Sequence, residues 1–185
     1  MINQDFLKKS ILKSLNASAQ AAASVIMLLP KDSFKESALY SRRTIGGLAA
    51  HMACVPVEEI RLMKGVSRKT ITKSFPKSIA SPRQFENLLN RSLDYLKKEI
   101  KGVDLEGLYR SREGLILNGF EWLMQLLAHF TNHRSQLYLN LVSFKIVPSR
   151  LLLKSFFEGH PMMPIDDYKQ LVASIKTHAD IRKNS

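Results

Sequence analysis

His129 and His133 stand four residues apart in a stretch free of proline and glycine. At about 100° per residue their side chains differ by about 40° around a helix and lie one turn apart. Both imidazoles can then reach one metal ion. They can equally be two buried histidines, each satisfied by a hydrogen bond to a neighbour. Trp122, Gln125, Leu126, Gln136 and Asn140 fall within roughly 60° of His129 on the same face. A face that is both apolar and rich in amides resembles a pocket wall more than a plain core stripe. A third histidine, His51, is in helical phase with Thr44, Leu48, Val55 and Glu58, so it belongs to a core-facing stripe. Burying three imidazoles without partners is costly, and this shifts the balance toward a shared role.

The remaining candidates are weaker. His160 lies in a Gly159-His160-Pro161 turn and His178 in a polar segment, and both read as surface residues. Cys54, three residues after His51, reads as a small buried hydrophobe in preference to a fourth ligand. Paired Glu-x-x-His motifs are absent, which disfavours a di-iron carboxylate bundle.

Helices must position these residues. Leu12, Leu15, Ala19, Ala22, Ala23 and Ile26 recur at three-and-four spacing between a cap at Asn3 and a stop at Pro30. Thr44 can cap a second helix running to about Lys64-Gly65. Pro56 falls inside it, and a kink or a fresh start is expected there. Residues 65 to 80 read as a basic linker. Ser81-Pro82-Arg83-Gln84 then opens a third helix that ends at Lys101-Gly102. After a glycine-containing loop, Asn118-Gly119-Phe120-Glu121 is a capping box for a fourth helix reaching about Phe144. Beyond Pro148, a short helix over Leu151 to Phe157 and a last one from Asp166 or Asp167 to about 181 are expected. Nothing alternates like a strand for more than a few residues. The fold class is an all-α four-helix bundle with an extra C-terminal helix.

The chain has 185 residues, enough for one domain with a core and too few for two typical ones. With 45% apolar residues, eight glycines and seven prolines, disorder and low complexity are excluded. One cysteine allows no internal disulfide or CxxC site, which fits a reducing, cytoplasmic location. No run of about 18 apolar residues is uninterrupted, so no membrane span is expected. Ala17 to Leu29 imitates a signal sequence only faintly, since Ser18, Gln20 and Ser24 interrupt it and Pro30-Lys31-Asp32 follows. The net charge of +12 raises the question of a polyanion partner. Seven basic residues and no acid lie between Arg61 and Arg83, with Phe75 the single aromatic ring. Without a recognisable nucleic-acid motif, a solvated basic linker is the preferred reading.

Two segments match one family. Thr44-Ile45-Gly46-Gly47-Leu48-Ala49-Ala50-His51 resembles the helix-two signature of the DinB/YfiT-like superfamily of metal-dependent proteins. His129-Phe130-Thr131-Asn132-His133-Arg134-Ser135-Gln136 resembles its H-x-x-x-H-R-x-Q signature, with Trp122 and Leu123 placed as that family tends to place them. The resemblance covers residues 5 to 145, the core of a single domain over 1–185 with an extension at 149–182. It implies an up-down-down-up bundle, often a homodimer, in which His51, His129 and His133 bind one divalent cation. Gly47, where a Glu is common, and Pro56 depart from the pattern.

Three neutral imidazoles leave a coordination position open, as catalytic sites do. A metal there would lower the pKa of bound water toward about 7, bind a thiolate or polarise a carbonyl. Hydrolysis and thiol transfer on a small molecule both follow, and members of the family include transferases and isomerases that use low-molecular-weight thiols. Gln125, Gln136 and Asn140 are candidates to orient substrate or to bond the second imidazole nitrogens. Glu58 is a candidate general base, as is Gln136 for a catalytic role. Trp122 lies two turns from His129, where core packing is preferred to substrate stacking. Arg134, about 140° off the metal face, is expected to pair at a helix or dimer contact. Imidazole ligands suit zinc, nickel, copper, cobalt and iron alike and do not choose among them, and availability in the cell dominates; one divalent cation is expected, zinc or nickel first, then manganese or iron. The alternatives are a metal-stabilised binding protein without turnover and, behind it, nucleic-acid binding through 61–83.

Overall fold

The computed structural model describes residues 3–39 and 41–146. Helices α1 (Gln4–Leu28), α2 (Ile45–Met63), α4 (Pro82–Glu99) and α5 (Gly119–Ser143) are the four long ones, joined by a short α3 (Arg68–Lys73) and a hairpin, β1 (Leu108–Arg110) and β2 (Ile116–Asn118). Each long helix begins where a side chain can take up an orphan N–H. Asn3 accepts from Phe6, Thr44 from Gly47, Ser81 from Gln84, and Asn118 from Glu121 within a complete capping box.

Hydrogen bonds between helix ends fix the direction of the chain. Gln4 and Lys8 at the start of α1 donate to Asp104 and to the Lys101 carbonyl, just past the end of α4. Phe120 at the start of α5 donates to the Leu105 carbonyl. At the opposite end, Ile79 N, ahead of α4, donates to Gly46 O at the start of α2. Asn140, near the end of α5, accepts from Leu39 N at 2.8 Å. Thus α1 and α5 run one way and α2 and α4 the other, in up-down-down-up order. The first helix packs on α4 and α5, and α2 packs on the same two.

Leu15, Ala22, Val25 and Ile26 of α1, Leu48, Met52 and Val55 of α2, Phe85 and Leu96 of α4, and Phe130 and Leu137 of α5 are fully buried in the core. By length and composition α1 could also cross a membrane. Its most apolar side is instead packed in the bundle.

Three expectations need correction. The 65–80 segment is not only linker: Ser67 caps α3, and Ile71 plugs into the core. The glycine-containing loop folds into a hairpin in which Tyr109 faces Leu117, with Gly114 at φ +92 making the turn. Pro56 does not restart α2. The next amide, Val57 N–H, reaches Ser92 Oγ on α4 at 3.2 Å, so a cross-helix bond serves a donor beside the proline. The expected C-terminal helices, with His160 and His178, lie outside the described residues.

Asn140 is a structural clamp. Its Nδ2 donates to the Gln136 carbonyl at 2.7 Å while its Oδ1 holds Leu39 N. Asn140→Leu is expected to cost about 1–3 kcal/mol by leaving that amide unpaired, read as a lower urea midpoint at unchanged m-value.

Candidate metal centre

His51 from α2 and His129 and His133 from α5 meet in the bundle. Their ring centroids are 5.3 Å (His51 to His129), 4.7 Å (His51 to His133) and 4.8 Å (His129 to His133) apart. One ring nitrogen from each lies within 4.8 Å of the others. Around this cluster each ring has its own partner. His129 Nδ1 lies 2.7 Å from Glu59 Oε1 and His133 Nδ1 lies 2.8 Å from Gln136 Oε1. His51 Nδ1 lies 3.4 Å from Glu58 Oε2.

These partners select the tautomer. Carboxylate and amide oxygens accept, so the Nδ1 atoms of His129 and His133 carry the protons and their Nε2 atoms keep their lone pairs. His129 Nε2 and His133 Nε2 then face each other at 2.9 Å. Two bare lone pairs at that distance repel unless a positive charge lies between them. Burial, reinforced by the charges of His133 and Arg43, pushes His51 down to about 3. Burial also lowers His133, against the bond to Gln136. Both rings are therefore neutral at pH 7, the form that ligates.

The donor set fits a divalent cation. Tetrahedral zinc with zinc–imidazole bonds of about 2.0–2.1 Å places its ligand nitrogens about 3.4 Å apart. A pair at the 4.8 Å limit of the cluster would therefore close by about 1.4 Å on a bound ion, within reach of side-chain rotation. Cys54 is not in the cluster; burial and the Glu58 charge push its thiol up to about 12, so it stays protonated and is a poor ligand.

A cleft of about 440 Å³ opens beside His51 and is lined also by Arg43, Cys54 and Glu58. Glu58 Oε1 accepts from Arg68 at 2.9 Å. Its burial raises its pKa, against the Arg68 charge. Of the amides expected on the metal face, Gln136 touches a histidine. Gln125 instead donates to Glu59 at 3.4 Å. Asn140 holds Leu39, and Trp122 is buried in the core away from the cleft. Arg134 is fully buried, which pushes its pKa down to about 10.

Sequence reasoning missed Glu59 and Arg43. The signal for Glu59 was present: Met52, Val55, Leu62 and Met63, at seven and four residues before and three and four after, make it a carboxylate set in an apolar stripe. Arg43 lies outside any periodic pattern, just before the Thr44 cap.

No protein-family model and no curated protein matches the sequence. Solved structures do resemble the fold. A DinB family protein from Exiguobacterium sibiricum superposes with a TM-score of 0.65 at 19% identity, over 77% of this chain and 96% of that one. A mycothiol-dependent maleylpyruvate isomerase superposes with a TM-score of 0.57 at 18% identity, over 74% of this chain and 63% of the isomerase. This chain thus spans less than two thirds of the isomerase. The protein has the DinB-like all-α fold, and three of its histidines are placed to hold a metal ion.

Proposed function

We propose that the chain is a metal-dependent enzyme that holds one divalent cation, zinc or nickel first, on His51, His129 and His133 and performs hydrolysis or thiol transfer on a small molecule. The observation that carries this reading is that ring nitrogens of His51, His129 and His133 cluster within 4.8 Å while Glu59 and Gln136 hydrogen-bond the Nδ1 atoms of His129 and His133, and a cleft opens beside the cluster. Structural metal sites are usually closed by four protein ligands, whereas three leave room for a reactant. A cation held there supplies Lewis acidity and lowers the pKa of the nucleophile it binds. The protein's own residues orient the rings and admit substrate past His51. The fold shared with a mycothiol-dependent isomerase supports the thiol branch, by analogy alone.

One observation favours binding without turnover. Glu58, the candidate base, is held between Arg68 and His51, so the carboxylate at the cleft is already engaged. Turnover on a panel of thiol acceptors and esters separates the readings.

The test of the site is metal content by ICP mass spectrometry on untagged protein. The wild type is expected to carry about one equivalent of a divalent metal, and the variant with His51, His129 and His133 all replaced by alanine none, at equal helicity. A folded triple variant that keeps its metal, or a wild type that takes up neither zinc nor nickel, would overturn the site.

A further inference from the structure

We infer that the cleft beside His51 is a subsite for a small anion, the carboxylate or phosphoryl group of a substrate whose other end reaches the histidine cluster. This deepens the metal-site reading and rests on it for that other end; the anion subsite itself is assigned from its own residues.

The lining carries four charged side chains, Arg43 ahead of α2, Glu58 on α2, Lys73 at the end of α3, and Lys77 in the segment after it. Glu58 is accounted for by Arg68 and His51. Arg43, Lys73 and Lys77 make no side-chain ion pair among the described residues. Three cations from separate segments, none ion-paired among the described residues, therefore meet on one concavity against the single carboxylate of Glu58. Such a shape concentrates the field and attracts anions. Lysines on a convex surface would avoid one another in solvent.

The geometry at the floor keeps them together. A Cβ added at Gly47 would lie 3.4 Å from both the Arg43 Cβ and the Lys77 carbonyl, so two of the cationic segments meet across a residue with no side chain. Gly47 and Ala50 leave space where larger residues would fill it, and about 440 Å³ suits a small ligand. Arg43 offers the planar fork that pairs with a carboxylate or phosphoryl group. The same lysines belong to the basic stretch from Arg61 to Arg83, but here they surround a pocket with one half-buried ring, Phe75. A small anion fits that shape better than a polynucleotide, which needs an extended track and stacking rings.

The experiment is calorimetric titration of full-length protein, metal-free and zinc-loaded, with inorganic phosphate and with succinate at low salt. Metal-free protein is expected to bind both probes. The double variant Arg43→Gln/Lys77→Gln should weaken binding at least tenfold and Lys73→Gln severalfold, with zinc content unchanged. The control Lys9→Gln/Lys13→Gln, on the far side of α1, removes equal charge and should leave affinity as it was. Absence of binding by either form, or equal weakening in the control, would overturn the subsite. So would a single-stranded oligonucleotide that binds more tightly than both probes with steep salt dependence. Zinc retained without anion binding sinks the subsite and spares the metal reading. Anion binding that depends on Arg43 in a protein that takes up no zinc does the reverse.

Discussion

Gly46→Ala is expected to lower the unfolding free energy by about 3 kcal/mol, a large share of the 5–15 kcal/mol typical of a domain. On propensity alone the change should help, since alanine is favoured over glycine inside a helix by about 1 kcal/mol. Packing decides otherwise. A Cβ on Gly46 would stand 2.2 Å from the Ile79 carbonyl and 2.8 Å from the Phe34 carbonyl. Both are backbone atoms, which cannot swing aside as a side chain can. Gly46 O also accepts from Ile79 N at 3.2 Å, so the chain just beyond Lys77 is docked on the first turn of α2. Substitution must push that segment off, and with it the wall of the cleft. Urea unfolding of the metal-free protein gives the free energy. Gly47→Ala is the matched control: its nearest contact would be Thr44 Oγ1 at 3.2 Å, and its stability should stay within about 1 kcal/mol of wild type. Equal effects of the two substitutions would remove backbone contact as the cause.

How far the site could be read in advance follows from what helical phase encodes. Phase gives angle around the axis, and α5 runs 25 residues without a break, so the angles of His129, His133 and Gln136 carry directly into the structure. Height along the axis is separate information. Asn140 shares the angle of His129 but stands eleven residues on, about 16 Å up the helix at 1.5 Å per residue. It therefore serves Leu39 at the end of the bundle. Trp122, seven residues before His129 and about 10 Å below it, packs in the core for the same reason. Glu59 was hidden because α2 was read on the phase of His51, from which it is rotated about 80°. A helix that contacts both α4 and α5 has two buried faces, and Glu59 belongs to the second. The hairpin left no periodic trace, because its strands are three residues each.

The adjacent carboxylates Glu58 and Glu59 divide the work between two histidines on different helices. Glu58 joins His51 to Arg68 on α3, so the short helix missed in the basic segment bears on the site. Glu59 joins α2 to His129 and Gln125 on α5. Because α2 and α5 supply all three imidazoles of the cluster, these contacts fix the relative position of the ligands, and the Glu59 bond also sets the His129 tautomer.

Glu59→Gln should therefore weaken zinc binding by about 10- to 100-fold at unchanged helicity. Glu59 is buried, 2% exposed, and its two oxygens serve two donors, His129 Nδ1 at 2.7 Å and Gln125 Nε2 at 3.4 Å. A carboxylate can accept from both. An amide has one oxygen, so it can satisfy Gln125 or His129, and its NH₂ must face the other. If the NH₂ faces His129, Nδ1 becomes the acceptor, the proton moves to Nε2, and the lone pair that faces His133 is lost. Removing the competing donor should restore the original choice. Gln125→Leu in the Glu59→Gln background frees the amide oxygen for His129 and is expected to recover a substantial part of the lost affinity, as a non-additive double-mutant cycle. Competition against a chromophoric chelator measures all three variants, with circular dichroism as the check on folding. Affinity unchanged in Glu59→Gln would show that this carboxylate does not set the His129 tautomer. A loss that Gln125→Leu deepens would point to packing between α2 and α5 as the property removed.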